Sequence, residues 1–115
     1  MEIHDDDNIR LARARLLARG AELRERINRV RADLRRDKEP LPADFADAAV
    51  RLENDEVLQA IETAATSELG HIDHALASLD AGTFGRCESC GKRIEAARLA
   101  VVPYAVRCPD CETRR

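Results

Sequence analysis

The sequence predicts a mainly α fold, in which a long antiparallel two-helix coiled-coil hairpin is followed by a small C-terminal C4 zinc-finger module. Aromatic residues make up 3% of the 115 residues and charged residues 36%, which is typical of long solvated helices with a narrow apolar seam. Apolar residues recur every seven positions in two segments, and four cysteines form two pairs after them. We therefore expect a hairpin over residues 1–82, with an acidic tip at 40–49, and a zinc finger over residues 83–115.

The first predicted helix spans residues 6–38. The polar side chains of residues 5–8 can cap its start, where negative charge also complements the helix dipole. A seven-residue apolar repeat follows, formed by Ile9, Leu16, Leu23 and Val30 and supplemented by Ile27 and Leu34. Pro40 disfavours the helical conformation in the residue before it, so the helix should end shortly before this proline.

The second predicted helix spans residues 45–80 and follows a stiff connector at 40–43. Asp44 is placed to cap this helix, and Asp47 lies in its first turn. Its apolar repeat consists of Leu58, Ala65, Ile72 and Leu79, supplemented by Ile61, Leu69 and Leu76. Gly82 and Gly85 should end the helix.

The short connector predicts that the two helices fold back on each other in antiparallel orientation. If the chain folds about residues 42–43, facing residues have numbers that sum to about 85. This register pairs apolar with apolar and small with small residues: Ile27 with Leu58, Leu16 with Leu69, Ile9 with Leu76, and Gly20 with Ala65.

The cysteine pattern predicts one structural Zn²⁺ ion. The spacing is C-x2-C-x17-C-x2-C, formed by Cys87, Cys90, Cys108 and Cys111. Four thiolates in two short knuckles suit a tetrahedral zinc ion and leave no open position for catalysis. Two disulfides or four unligated thiols are the alternatives. Because the N-terminal residues contain no apolar run of a signal peptide, we expect a cytoplasmic protein with reduced thiols.

Composition argues against several other classes of protein. No apolar stretch approaches the ~20 residues of a membrane span, so no membrane association is expected. There is no Gly-rich phosphate loop, nucleophile elbow or plausible Ser/His/Asp set, so we do not expect an enzyme. The net charge of -3 conceals segregation: residues 10–36 carry ten Arg against three acids, whereas residues 37–56 carry seven acids against two basic residues.

The finger and the start of the second helix resemble the DksA/TraR family of C4 zinc-finger proteins. The finger sequence from Phe84 to Ile94 reads FGRCESCGKRI, and it is followed by Arg98, Leu99, Pro103 and Ala105 around the second cysteine pair. Asp44, Asp47 and Ala49 fit the D-x-x-D-x-A motif that the family carries at the end of its coiled coil. The resemblance covers residues from about 10 to 112.

This resemblance implies a bacterial transcription regulator that binds RNA polymerase rather than promoter DNA. We expect a monomer, because the connector with Pro40 and Pro42 breaks the helix and disfavours parallel dimerisation. In the family the coiled coil enters the secondary channel of the polymerase, and the tip changes the lifetime of open promoter complexes. Asp44, Asp47 and Ala49 would inherit that tip role. The chain has little sequence before the hairpin or after the finger, where the family carries further helices. The positions matching the family's basic ppGpp contacts hold a neutral, an apolar and an acidic residue: His71, Val102 and Glu112.

Other interpretations of these features remain open at this point. The Arg-rich first helix and the basic finger could instead bind nucleic acid, or the arginines could form a solvated face. Two acids three positions apart could also hold a catalytic metal in a transcript-cleavage factor. Asp44 and Asp47 could serve only the helix start. His71 and His74 are expected to be exposed helical residues rather than metal ligands, and Phe84 and Tyr104 should pack the finger against the hairpin.

Overall fold

The computed structural model describes residues 6–36 and 40–114, and within them the protein is mainly α-helical. In chain order the helices are α1 (Asp6–Arg36), α2 (Phe45–Ala81), α3 (Ala96–Val101) and α4 (Pro109–Thr113). The described part of the chain contains no β-strand, and its β-type pairing is a single antiparallel bridge between Arg86 and Arg93. The fold class is therefore confirmed, and the bounds of α1 and α2 agree closely with the prediction. The cap at Asp5 and the predicted last residues of α1, 37–38, lie outside the described residues.

Both ends of α2 follow from local chemistry. At its start, Asp44 Oδ1 accepts a hydrogen bond from the Asp47 amide at 3.1 Å, which is the arrangement of an N-cap. At its end, Gly82 adopts φ 77°, a left-handed conformation that glycine enters without steric cost. The Gly82 amide donates to the Leu79 carbonyl at 3.2 Å and the Thr83 amide to the Ser78 carbonyl at 2.9 Å. These two bonds form a Schellman motif, which terminates the helix.

The chain divides into two compact units, the first of which contains residues 1–20 and 70–115. In this unit, Arg13 Nη1 of α1 and Asp80 Oδ1 of α2 form an ion pair at 2.8 Å. Apolar side chains from the helices and the finger form a common core: Leu16, Ile72, Ala75, Leu79, Phe84, Ile94, Leu99 and Ala105. The finger therefore shares its core with the helix segments of this unit, which a module of its size needs.

The second unit contains residues 21–69. Its core is a narrow seam of Leu23, Ile27, Val30 and Ala65. Arg31 Nε of α1 donates to Glu62 Oε2 of α2 at 2.6 Å beside this seam. A seam of small width with charged pairs at its edge is the arrangement expected of a two-helix coiled coil.

The register of α1 against α2 differs from the predicted register. Arg13 pairs with Asp80 in one unit and Arg31 with Glu62 in the other, so facing residue numbers sum to 93 in both. The predicted sum of about 85 was therefore wrong by about eight residues, or roughly two helical turns. The predicted register was wrong because it assumed that the chain reverses its direction at residues 42–43. Instead Pro40 lies beside the second turn of α2, where its carbonyl accepts a hydrogen bond from Arg51 Nη1 at 2.9 Å.

The observed register also explains a second departure. Ile61 was expected to fill the seam, but it is 38% exposed. In the register of these two ion pairs, position 61 lies opposite the small residue Ala32, which is consistent with the exposure of Ile61. Leu58 is half-buried rather than buried.

The proposed division into a hairpin of residues 1–82 and a finger of residues 83–115 stays a prediction. Among the described helices, none combines the length and the apolar character that crossing a bilayer requires.

Candidate metal centre and acidic helix start

The sulfur atoms of the four cysteines lie together at one point of the first unit. Each is within 4.8 Å of the others, and all four residues are free thiols: Cys87, Cys90, Cys108 and Cys111. Cys90 Sγ and Cys108 Sγ are 3.8 Å apart. A zinc ion with sulfur ligands at about 2.3 Å places neighbouring sulfurs roughly 3.8 Å apart in a tetrahedron. The four donor atoms therefore lie close enough together to surround one zinc ion.

The first cysteine pair sits in a tight knuckle that depends on one glycine. Gly91 has φ 77°, and its amide donates to the Cys87 carbonyl at 2.9 Å. The Cys87 amide in turn donates to the Lys92 carbonyl at 2.8 Å. A side chain at position 91 would be strained in this conformation, so the glycine lets the backbone turn around the sulfurs.

The second cysteine pair lies at the start of α4. Pro109 occupies the first turn of this helix, where its missing amide costs no hydrogen bond. The Glu112 amide donates to the Cys108 carbonyl at 3.0 Å, which brings Cys111 onto the same side as Cys108. A further bond from the Glu88 amide to the Val106 carbonyl at 2.8 Å joins the two knuckles.

The pKa values of two cysteines in the cluster are shifted in opposite directions. Burial raises the pKa of the Cys87 thiol, but backbone hydrogen bonds from Cys108 and Cys90 outweigh it and lower the pKa to about 6. Hydrogen bonds with the thiols of Cys108 and Cys87, together with burial, raise the pKa of Cys111 to about 12. One sulfur is thus prepared as a thiolate, whereas the metal-free cluster retains a proton on another.

The donor set fits one structural Zn²⁺ ion. Thiolates are soft ligands that favour zinc over magnesium or calcium, and four of them complete a tetrahedron. The alternative of two disulfides is not observed, since all four cysteines are free and their sulfurs lie together in one cluster. With no ligand position left for water or substrate, the ion would hold the two knuckles together.

A charged network ties α2 to both knuckles. His74 Nε2 lies 2.8 Å from Glu88 Oε2, and Glu88 Oε1 lies 3.1 Å from Arg107 Nη2. Arg107 also approaches Glu112 at 3.7 Å. His74 lies on an exposed helical surface, as predicted, but its contact with Glu88 was not predicted. Only the folded chain brings residue 74 to the first knuckle.

His71 has a similar role one turn earlier on α2. Its ring stacks on that of Tyr104, with centroids 5.3 Å apart and an interplanar angle of 10°. The other aromatic residue of the finger, Phe84, is 6% exposed in the core. Both aromatic residues therefore pack within the first unit, as predicted.

The three positions matched to the family's ppGpp contacts do lie around one pocket, of about 260 Å³. His71, Val102 and Glu112 line it together with Arg98 and Arg107. The sequence did not identify Arg98 and Arg107 as part of this pocket, although Arg98 belongs to the finger motif. Arg107 is already engaged by Glu88 and Glu112.

The three predicted tip residues lie at the start of α2. Asp44 and Asp47 are exposed and Ala49 is half-buried. Asp44 caps the helix through its carboxylate, whereas Asp47 contributes its amide to that cap. Within the described residues, no hydrogen bond or ion pair involves the Asp47 carboxylate. The two acids of the motif are therefore in different chemical situations.

Comparison with known proteins covers nearly the whole chain. Residues 82–115 match the family described as the prokaryotic dksA/traR C4-type zinc finger. Residues 13–79 match the DnaK suppressor protein-like N-terminal domain. A curated relative, an uncharacterized protein from Aquifex aeolicus (strain VF5), is 33% identical over 70 residues. That match spans 61% of this chain and 48% of the relative, so the chain covers about half the length of that protein.

Two solved structures are similar to the fold. Transcription factor DksA2 from Pseudomonas aeruginosa is 31% identical, with a TM-score of 0.81, over 96% of this chain and 84% of that chain. The solution structure of DnaK suppressor protein from Agrobacterium tumefaciens C58 is 39% identical, with a TM-score of 0.63, over 94% of each chain. Together with the four-cysteine cluster and the long helices, these matches show that the chain belongs to the DksA/TraR family of C4 zinc-finger proteins.

Proposed function

We propose that this chain is a DksA-like transcription factor, which binds RNA polymerase through its secondary channel and alters the stability of open promoter complexes. Membership of the family supports the proposal, as does the similarity to a protein described as a transcription factor. In this proposal the chain works in the cytoplasm as a monomer and is not an enzyme. Its zinc ion is structural, since four thiolates leave no coordination site for a substrate.

The observation that carries the proposal is the exposed carboxylate of Asp47 at the start of α2. Asp44 already supplies the cap, so the helix does not need a second acid for that purpose. Asp47 adds a negative charge beside the helix N-terminus, where it is accessible to a partner. A carboxylate in that position can form charge-assisted hydrogen bonds with basic groups or influence a metal-bound active centre. Asp44, Asp47 and Ala49 are the proposed polymerase-modulating residues.

The alternative of a nucleic-acid-binding zinc module has less support in the observed contacts. Arg13 and Arg31 of the Arg-rich helix form ion pairs with acids of α2. In the finger, Arg107 is shared between Glu88 and Glu112. Cations that are neutralised within the chain release fewer counterions when they meet phosphate, so they contribute less to binding of nucleic acid.

A direct binding experiment distinguishes these functions. The full chain, labelled on its N-terminus, is titrated with core RNA polymerase and separately with duplex and single-stranded DNA of equal length. We expect saturable binding to core polymerase and no comparable binding to either nucleic acid. Tight binding to DNA without binding to polymerase would contradict the proposed function and support the alternative.

A further inference from the structure

The first two turns of α2 present two large apolar side chains to solvent, Phe45 at 88% and Leu52 at 50% exposure. We propose that this face, formed by Phe45 and Leu52 and called the α2 outer face below, docks into an apolar groove with a basic rim on the protein partner. The inference rests on the proposed function, in which that partner is RNA polymerase. In this inference the α2 outer face anchors α2 to the partner, and it is not the group that changes transcription.

Phe45 and Leu52 are two turns apart on one side of α2. They stand at positions i and i+7, which is the spacing of anchor residues on a docking helix. At about 100° per residue, Phe45 and Leu52 point within roughly 20° of each other. Both lie about 140–160° away from Ala65, which is buried in the seam against α1. The α2 outer face is therefore a second apolar surface, separate from the coiled-coil seam.

The exposure of Phe45 is the main evidence for a partner. The sequence has three aromatic residues and no Trp. Phe84 is 6% exposed and Tyr104 stacks on His71, so two of the three have a place within the fold. Phe45 is 88% exposed, and Leu52 on the same face is 50% exposed. Aromatic side chains that become buried at the centre of an interface are typical binding hot spots, because they bring a large apolar area with few rotatable bonds.

Charge around the face decides between possible occupants. Exposed carboxylates border it, Asp44 before Phe45 and Glu53 and Glu56 beside Leu52. A second copy of the chain would place like charges against one another, and nucleic acid would bring further negative charge. A protein groove with an apolar floor and basic side chains at its rim complements both the apolar and the acidic residues.

The α2 outer face and the Asp47 carboxylate lie on different sides of the same helix. Asp47 is two residues from Phe45, which turns it by about 160° around the axis. Contacts made by Phe45 and Leu52 can therefore be removed without touching Asp47. This separation predicts that affinity and effect on transcription respond to different substitutions.

The test compares a double variant with a matched control in the full chain. Phe45→Ala combined with Leu52→Ala removes the face, while alanine maintains the helix. Leu17→Ala is the control, because Leu17 is a helical leucine of equal exposure, 51% against 50% for Leu52. We expect the double variant to bind core polymerase at least about tenfold more weakly, with an unchanged melting temperature. The control should bind like the wild type, and Phe45→Leu should retain part of the affinity.

Each other outcome overturns the inference in a recognisable way. If the wild type binds polymerase and the double variant binds equally well, the docking face is refuted while the proposed function stands. If the wild type does not bind polymerase, both fail together. If sedimentation shows a wild-type dimer that the double variant abolishes, the occupant is a second copy of the chain, and the proposed partner is wrong.

Discussion

At the scale of single residues, the two acids of the tip motif have different structural roles. The Asp44 carboxylate accepts the Asp47 amide hydrogen bond and so completes the helix start. The Asp47 carboxylate is exposed and forms no hydrogen bond or ion pair within the described residues. The cap at Asp44 could be predicted from the sequence because N-capping depends on neighbouring residues alone. The difference between the two acids needed the observed hydrogen bond.

Substitutions at Asp44 should show how much its carboxylate stabilises the start of α2. Asp44→Ala removes the acceptor, so we expect a loss of about 1 kcal/mol in the free energy of unfolding. Asp44→Asn keeps an oxygen in the same place and should leave stability nearly unchanged. Denaturant unfolding followed by circular dichroism measures both. Equal losses of unfolding free energy in the two variants would show that this hydrogen bond is not what stabilises the helix start.

The seam of the second unit gives a further residue-scale prediction. Leu23 is 0% exposed, so Leu23→Asp should cost about 4 kcal/mol or more because it buries an unpaired charge. Ile61 is 38% exposed, and an aspartate there can remain in contact with water. We expect Ile61→Asp to cost about 1–2 kcal/mol. Thermal unfolding of both variants tests the observed register, and similar melting temperatures would contradict it.

At the scale of elements, the sequence predicted the features that depend only on residues close together in the chain. The ends of α2 follow from Asp44 and Gly82, and the metal centre follows from the spacing of two cysteine pairs. The register could not be predicted, because it depends on where the connector runs. The bond from Arg51 to the Pro40 carbonyl shows that residue 40 lies beside α2 rather than at the turn. The contacts of His71 and His74 with the finger were missed for the same reason, since only the tertiary fold creates them.

The zinc centre leads to a prediction about the finger as an element. Cys111→Ser should lower bound zinc below one ion per chain and unfold the finger, because metal binding supplies much of the folding free energy of a small module. The two long helices should keep most of their helical signal. Elemental analysis and far-ultraviolet circular dichroism measure the two effects. A zinc-free finger that still protects its amides from exchange would contradict the assignment.

The same centre should release zinc on acidification. The pKa of Cys111 is raised to about 12 without metal, so zinc must displace a proton there at any physiological pH. The pKa of Cys87 is about 6, so below this pH zinc must displace a further proton. Apparent zinc affinity should therefore fall as pH falls and should fall more steeply below about pH 6. Competition with a chromophoric chelator between pH 5 and 8 measures this dependence, and an affinity independent of pH would refute it.

At the scale of the whole molecule, the chain divides into two compact units, to which we assign separate tasks. One compact unit contains the finger and its charged network, and the other contains the start of α2 with its acids and its apolar face. The apolar repeats and the cysteine spacing were sufficient to predict the two long helices and the finger, but not the charged network or the apolar face. We assign the effect on transcription to the proposed modulating residues at the start of α2, above all Asp47, and anchoring to the α2 outer face and contacts elsewhere. In this proposal Asp47 acts on the polymerase after binding, not by binding.

The lifetime of open promoter complexes tests that claim most directly. Wild type and Asp47→Asn are compared at saturating concentration on a ribosomal-RNA-type promoter, with Asp44→Asn as the variant that changes the same charge but keeps the cap. Binding of each protein to core polymerase is measured in parallel. We predict that Asp47→Asn binds polymerase like the wild type but no longer changes the lifetime. Equal effects of wild type and Asp47→Asn would contradict the account and leave Asp47 as a residue of the helix start, whereas loss of binding would make it an anchor.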